Sequence, residues 1–112
     1  MTAIDLNKEL FDKYINTEEK PILVDFWAPW CVYCRRIAPA LNILSEKYHD
    51  SLIIGKINID EEQELAVLEQ IEVIPTLVIY KGGQALASIV APESKAQIEA
   101  FIKETLHIET RN

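Results

Sequence analysis

Long apolar runs are missing from this chain. None approaches the roughly 20 residues that a membrane span requires. The first residues, Met1-Thr2-Ala3-Ile4-Asp5-Leu6, also lack the basic start and apolar stretch of a secretory signal. A cytoplasmic protein is therefore expected. Positive charge is short too: 11 Lys and Arg stand against 18 Asp and Glu, a net charge of −7. That balance argues against nucleic acid or an anionic membrane as partner. Internal repeats, low-complexity segments and linkers are all absent, so residues 1–112 read as one domain, long enough for a core without disulfide staples. Cysteine is scarce, with two residues. In a reducing compartment such a pair is rarely structural, which leaves a catalytic or metal-binding role.

The two cysteines lie in Cys31-Val32-Tyr33-Cys34, between an apolar run, Ile22 to Ala28, and a helical pattern. Thiols three apart at a helix start lie within one turn, close enough to join as a disulfide. The sulfur nearer the end meets unpaired backbone N–H groups and the positive end of the helix dipole, and both favour the nucleophilic thiolate. Neither Pro29 nor Trp30 carries a capping side chain, so Cys31 is left to cap those amides. Its position at the tip makes Cys31 the exposed attacking thiol. Cys34, one turn inward, resolves the mixed disulfide. Tyr33, unlike a proline there, offers an N–H that is expected to bond the Cys31 thiolate. Metal is the competing use. Tetrahedral zinc needs four ligands, and neither His49 nor His107 stands at ligand spacing from the pair, although a cluster shared between two chains stays open.

Along the chain, Asn7 caps a helix carrying Leu10, Phe11, Tyr14 and Ile15 on one face. The continuous apolar run from Ile22 fits a central strand covered on both sides. After the motif comes a helix with Ile37, Leu41, Leu44 and Tyr48 inward, in which Pro39 predicts a kink. Leu52 to Ile59 reads as a strand. Asp60 with Gln63 reads as the capping box of a short helix with Leu65 and Leu68 inward. Thr76–Tyr80 and Ala85–Val90 form a hairpin across Gly82-Gly83, and Ser94 with Gln97 starts a last helix burying Ile98, Phe101, Ile102 and Leu106. The order α-β-α-β-α-β-β-α, with a candidate strand before it, predicts an α/β fold: a mixed sheet with helices on both faces. Asp25 is a lone carboxylate in the most apolar strand, and Lys56 a lone amine in the next. Each either reaches solvent from a strand end or, if the strands are neighbours, pairs with the other directly or through water. Burial of Asp25 without a partner is costly and pushes its pKa toward neutrality. Pro75 opens a strand, where proline is tolerated.

Several of these motifs, in this order, resemble the thioredoxin family from near Met1 to about Leu106. They are Asp25-Phe26-Trp27-Ala28-Pro29-Trp30-Cys31-x-x-Cys34, Ala38-Pro39, Lys56-Ile57-Asn58-Ile59-Asp60, Ile74-Pro75-Thr76 and Gly82-Gly83. The resemblance implies the thioredoxin fold and reduction of protein disulfides by dithiol exchange, with no cofactor beyond the redox-active disulfide. It implies disulfide-containing proteins as substrates, a thioredoxin reductase or similar electron donor, and a monomer. Asp25 would be the buried carboxylate that assists deprotonation of Cys34, with Lys56 modulating it. Pro75 would be cis, face the cysteines and keep metals off them, while the backbone at Ile74 pairs with substrate as an added strand. Trp30 would lie at the rim with Trp27 beneath the motif.

The chain departs from the family at that rim. Val32-Tyr33 replaces the usual Gly-Pro, with a tyrosine similar to that of the glutaredoxin Pro-Tyr pair. Ala91 stands where the family has glycine, and Val73 where a small residue is common. These changes add bulk around the substrate and bear on its choice. Oxidation or isomerisation by the same chemistry is a second reading, and a non-catalytic binding or cluster-scaffold module a third.

Overall fold

The computed structural model describes residues 2–17 and 19–108. Its elements run β1 (Ile4–Leu6), α1 (Lys8–Thr17), β2 (Ile22–Trp27), α2 (Val32–Lys47), β3 (Ile53–Asn58), α3 (Gln63–Leu68), β4 (Thr76–Lys81), β5 (Gln84–Val90) and α4 (Lys95–Leu106). The strands form one mixed sheet in the order β1-β3-β2-β4-β5. The apolar run at Ile22 takes the centre, parallel to β3 and antiparallel to β4. This is the α/β architecture expected from the pattern, and the candidate first strand is real: Ile4–Leu6 pairs with β3 along one edge. Among the described residues no helix is long and apolar enough to cross a membrane.

Alternation along the strands divides the core into two layers. Leu23, Ile54, Leu77 and Ile79 face α2 and α4, packing against Ile37, Leu41, Leu44, Ile98 and Ile102. Ile22, Val24, Phe26, Ile57 and Tyr80 face the other way, against Phe11 of α1 and Leu65 of α3. Asp25 has the parity of Leu23, and Lys56 that of Ile54; they are register partners on β2 and β3, opposite Leu77 of β4. The lone carboxylate therefore lies in the layer roofed by α2, the helix that begins at the cysteines.

Local signals explain most helix ends. Asn7 Oδ1 accepts the Leu10 N–H at 2.8 Å, and Ser94 Oγ accepts that of Gln97 at 3.1 Å. The β4–β5 loop holds Gly82 and Gly83 at φ 61° and 81°, the two positive values that a two-residue hairpin turn requires. Helix α2 continues from Val32 to Lys47 with Pro39 inside it. Pro39 is exposed, so its ring lies on the solvent side of the helix.

The short helix differs from expectation. It starts at Gln63 with Glu62 at its N-cap and no capping side chain. Asp60 instead lies in a turn, where its N–H donates to Asn58 Oδ1 at 2.9 Å. Leu65 and Ala66 are its buried residues, whereas Leu68 is exposed, because six residues make too few turns to hold a full inward stripe. On α1, Leu10 is likewise exposed while Phe11 is buried.

Candidate active site

Strand β2 ends at Trp27, and Ala28-Pro29-Trp30 carries the chain to Cys31, whose N–H donates to Ala28 O at 3.1 Å. Cys31 keeps extended dihedrals, φ −86° and ψ 112°, and caps α2: its Sγ accepts the Cys34 N–H at 3.2 Å. An N-cap acceptor is reached by the second or third helical amide. Here the third, that of Cys34, makes the bond. No bond from the Tyr33 N–H to this sulfur occurs among the described residues, so the extra donor expected from Tyr33 is absent in the disulfide form.

The cysteines form a disulfide with Cα atoms 5.2 Å apart. Cys34 falls on the inward stripe of α2, three residues before Ile37, and is 2% exposed. Cys31 is 7% exposed, less open than a helix tip suggests, because Trp27, Ala28, Ile59 and Ile74 pack around the pair. Its Sγ lies 4.0 Å from the carbonyl oxygen of Ile74. The Ile74–Pro75 bond is cis. That loop is tied at both ends: Thr76 Oγ1 donates to Val73 O at 2.5 Å, and Ala91 N–H donates to Pro75 O at 2.8 Å. Ala91 is left-handed, with φ 47°, a conformation strained for any residue with a Cβ.

Asp25 is fully buried and neither carboxylate oxygen has a hydrogen-bond partner. Burial raises its pKa from 3.8 to about 7, against the opposing pull of the Lys56 charge. Lys56, half-buried, makes no direct ion pair with Asp25 among the described residues. Its Nζ sits 4.3 Å from the centroid of the Trp27 ring, a cation–π contact that draws the ammonium along the strand. Of the two readings for this pair, direct contact is thus corrected. The charges are neighbours in register without touching.

Trp30 is 65% exposed, with Nε1–H shared between the Asp60 carboxylate oxygens at 3.1 and 3.3 Å. Val32, Tyr33, Val73 and Ala91 are exposed around the same opening. Asp60, read from sequence as a helix cap, is therefore a missed site residue: an acid before a helical pattern gives the same signal whether it caps or reaches elsewhere. Arg35, whose Nη1 donates to Pro29 O at 2.9 Å and braces the turn into the motif, was also missed, since an exposed helical arginine carries no signal of its own. Among the described residues no three His, Cys, Asp or Glu side chains converge as a metal site would. His49 bonds locally through Nδ1 to Glu46 O, and His107 closes α4.

The family model Thioredoxin matches residues 2–104. A "Thioredoxin" of Alicyclobacillus acidocaldarius subsp. acidocaldarius is 39% identical over 106 residues, covering 95% of this chain and 97% of the relative. The "Thioredoxin" of Acidithiobacillus ferridurans is 40% identical over 101 residues, covering 90% and 94%. A Nostoc "Thioredoxin 1" is 34% identical over 104 residues, covering 93% and 97%. Family membership carries disulfide substrates and a reductase partner in general terms. With likeness spanning nearly the whole of both chains and a Cys-x-x-Cys pair at the head of α2, the chain belongs to the thioredoxin family and is a thiol–disulfide oxidoreductase that reduces protein disulfides.

Proposed function

We propose that Cys31 is the attacking thiol, Cys34 the resolving thiol and Asp25 the proton acceptor between them. In the reduced protein the Cys31 thiolate attacks one sulfur of a substrate disulfide. A Cys31–substrate disulfide forms and the other substrate sulfur leaves as thiolate. Cys34 then gives its proton toward the Asp25 carboxylate and attacks Cys31 Sγ. The Cys31–Cys34 disulfide forms, and the second substrate sulfur departs and takes up a proton. Two electrons pass from the dithiol to the substrate.

The observation that carries this reading is the state of Asp25. A buried carboxylate with no hydrogen-bond partner and a pKa near 7 is half-ionised at neutral pH, the condition suited to accepting and returning a proton. It lies in the sheet layer covered by the stripe of α2 that includes Cys34. Lys56 biases it toward the ionised form through its charge.

Around the thiols, Trp30, Val32, Tyr33, Val73, Ile74, Pro75 and Ala91 form the substrate rim. The Ile74 backbone is the edge with which an extended substrate pairs. The protein acts as one domain and a monomer in the cytoplasm. It needs no metal or organic cofactor, and a thioredoxin reductase or similar donor returns its electrons. Trapping tests the role assignment: with a disulfide substrate, Cys34→Ser accumulates a mixed disulfide through Cys31, while Cys31→Ser traps little. Equal trapping by the two variants would remove the assignment.

A further inference from the structure

Beside the cysteine pair lies a notch of about 280 Å³ bounded by Tyr33, Arg36, Ile37, Pro92 and Glu93. Its floor is apolar, from Ile37 and Pro92, both buried. One wall is the motif itself: the Tyr33 ring, 64% exposed, immediately precedes Cys34. The Arg36 guanidinium carbon stands 5.2 Å from that ring's centroid. The opposite wall follows Ala91, whose N–H is bonded to Pro75 O, so it is fixed relative to the loop that faces Cys31. The notch is thus continuous with the opening through which a substrate disulfide must approach.

Two charges line it without neutralising each other. Among the described residues Arg36 has no carboxylate partner and Glu93 no cation. The Glu93 N–H is taken by Gln97 Oε1 at 2.8 Å, and the residue is exposed at the notch. Arg36, also exposed, is held over the ring of the motif tyrosine, next to Cys34. Arg35 next to it is already engaged with Pro29 O, and the Lys56 ammonium lies over Trp27. In a chain of net charge −7, Arg36 is therefore the uncommitted cation of this opening. The contact with Tyr33 holds the guanidinium in place, and its N–H donors suit a carboxylate.

We propose that Arg36, held by Tyr33, is a specificity-determining residue for disulfide reduction: the notch receives the side chain next to the attacked cysteine and favours an acidic one. Glu93 opposes this from the same notch, so the preference is limited in size and falls with salt. The proposal rests on Cys31 being the attacking thiol.

The test compares kcat/KM of the full chain on disulfide peptides that differ at one residue, Asp or Lys, flanking the attacked cysteine on either side. For one placement, the wild type reduces the Asp peptide about threefold better, the scale of a single exposed ion pair. Arg36→Glu inverts the ratio, Arg36→Gln brings it near one, and Glu93→Gln raises it. Because each ratio is taken within one variant, a general loss of activity cancels. A ratio unchanged by Arg36→Glu and Arg36→Gln, or a wild-type preference for Lys on both sides, overturns the inference. Failure to reduce any of the peptides overturns the assignment of Cys31 as well.

Discussion

Replacing Asp25 by Asn separates the role proposed for the carboxylate in catalysis from what it costs the fold. In the folded protein the group holds its proton up to about pH 7, whereas in the unfolded chain it releases it near 3.8. Between those values the native state binds the extra proton, so stability falls as pH rises through that window and is level above it. The difference, at about 1.4 kcal/mol per pH unit, corresponds to roughly 4 kcal/mol of destabilisation at pH 8. Asparagine cannot ionise and escapes this cost, but it leaves a buried amide that itself lacks partners, at about 1–3 kcal/mol. The net expectation is that oxidised Asp25→Asn is more stable than wild type by about 1–3 kcal/mol at pH 8. That advantage shrinks as pH falls toward 4. Denaturant titrations of both proteins at pH 8, 6 and 4 measure it directly. In turnover, the same variant reduces substrate more slowly at neutral pH and loses the rate titration centred near 7. Two results would refute the reasoning: a variant less stable than wild type at pH 8, or a stability difference that does not change with pH. Either would mean that Asp25 is a satisfied structural partner and not a strained proton acceptor.

Ala91→Gly relieves a left-handed alanine and, after the larger backbone entropy of glycine is subtracted, stabilises the protein by about 1 kcal/mol. It also broadens the range of disulfide proteins reduced; an unchanged unfolding midpoint and unchanged substrate panel would count against both effects. Glu99 accepts hydrogen bonds from Lys47 Nζ and the Tyr48 hydroxyl, and these hold its pKa down, from 4.5 to about 2. A depressed carboxylate stabilises the fold above its unfolded pKa and loses that contribution as pH falls through the folded one. Glu99→Gln therefore costs about 1–2 kcal/mol at pH 7, allowing for the exposure of Lys47, and little near pH 2. Thermal unfolding at the two pH values checks it, and a loss of equal size at both would place the effect in packing.

The sequence by itself carried the fold class and a cysteine pair placed for redox chemistry, and its resemblance to the thioredoxin family carried the direction of that chemistry. A nearly continuous apolar run fits a strand covered on both faces, and Ile22–Trp27 is central in the sheet. Two thiols one helical turn apart, after residues that cannot cap, lie close enough to join at a helix start, and Cys31 does cap α2. Ser94 and Asn7 marked helix starts because their side chains bond amides only two or three residues away. Signals of that local kind are written in spacing. The state of Asp25 was legible only as a possibility. That Lys56 lies opposite in register yet turns over Trp27, leaving both carboxylate oxygens without a partner, follows from strand order and the packing of α2, which no spacing encodes. Asp60 shows the same limit, since local pattern favours a cap and only the approach of Trp30 across 30 residues makes it a partner of the indole. Ala91 also waited for the fold: its φ is positive where its N–H bonds Pro75 O, a contact between segments 16 residues apart that no local pattern announces. Contacts between distant segments are fixed by the whole core at once, and they are what turned a recognisable motif into a particular site.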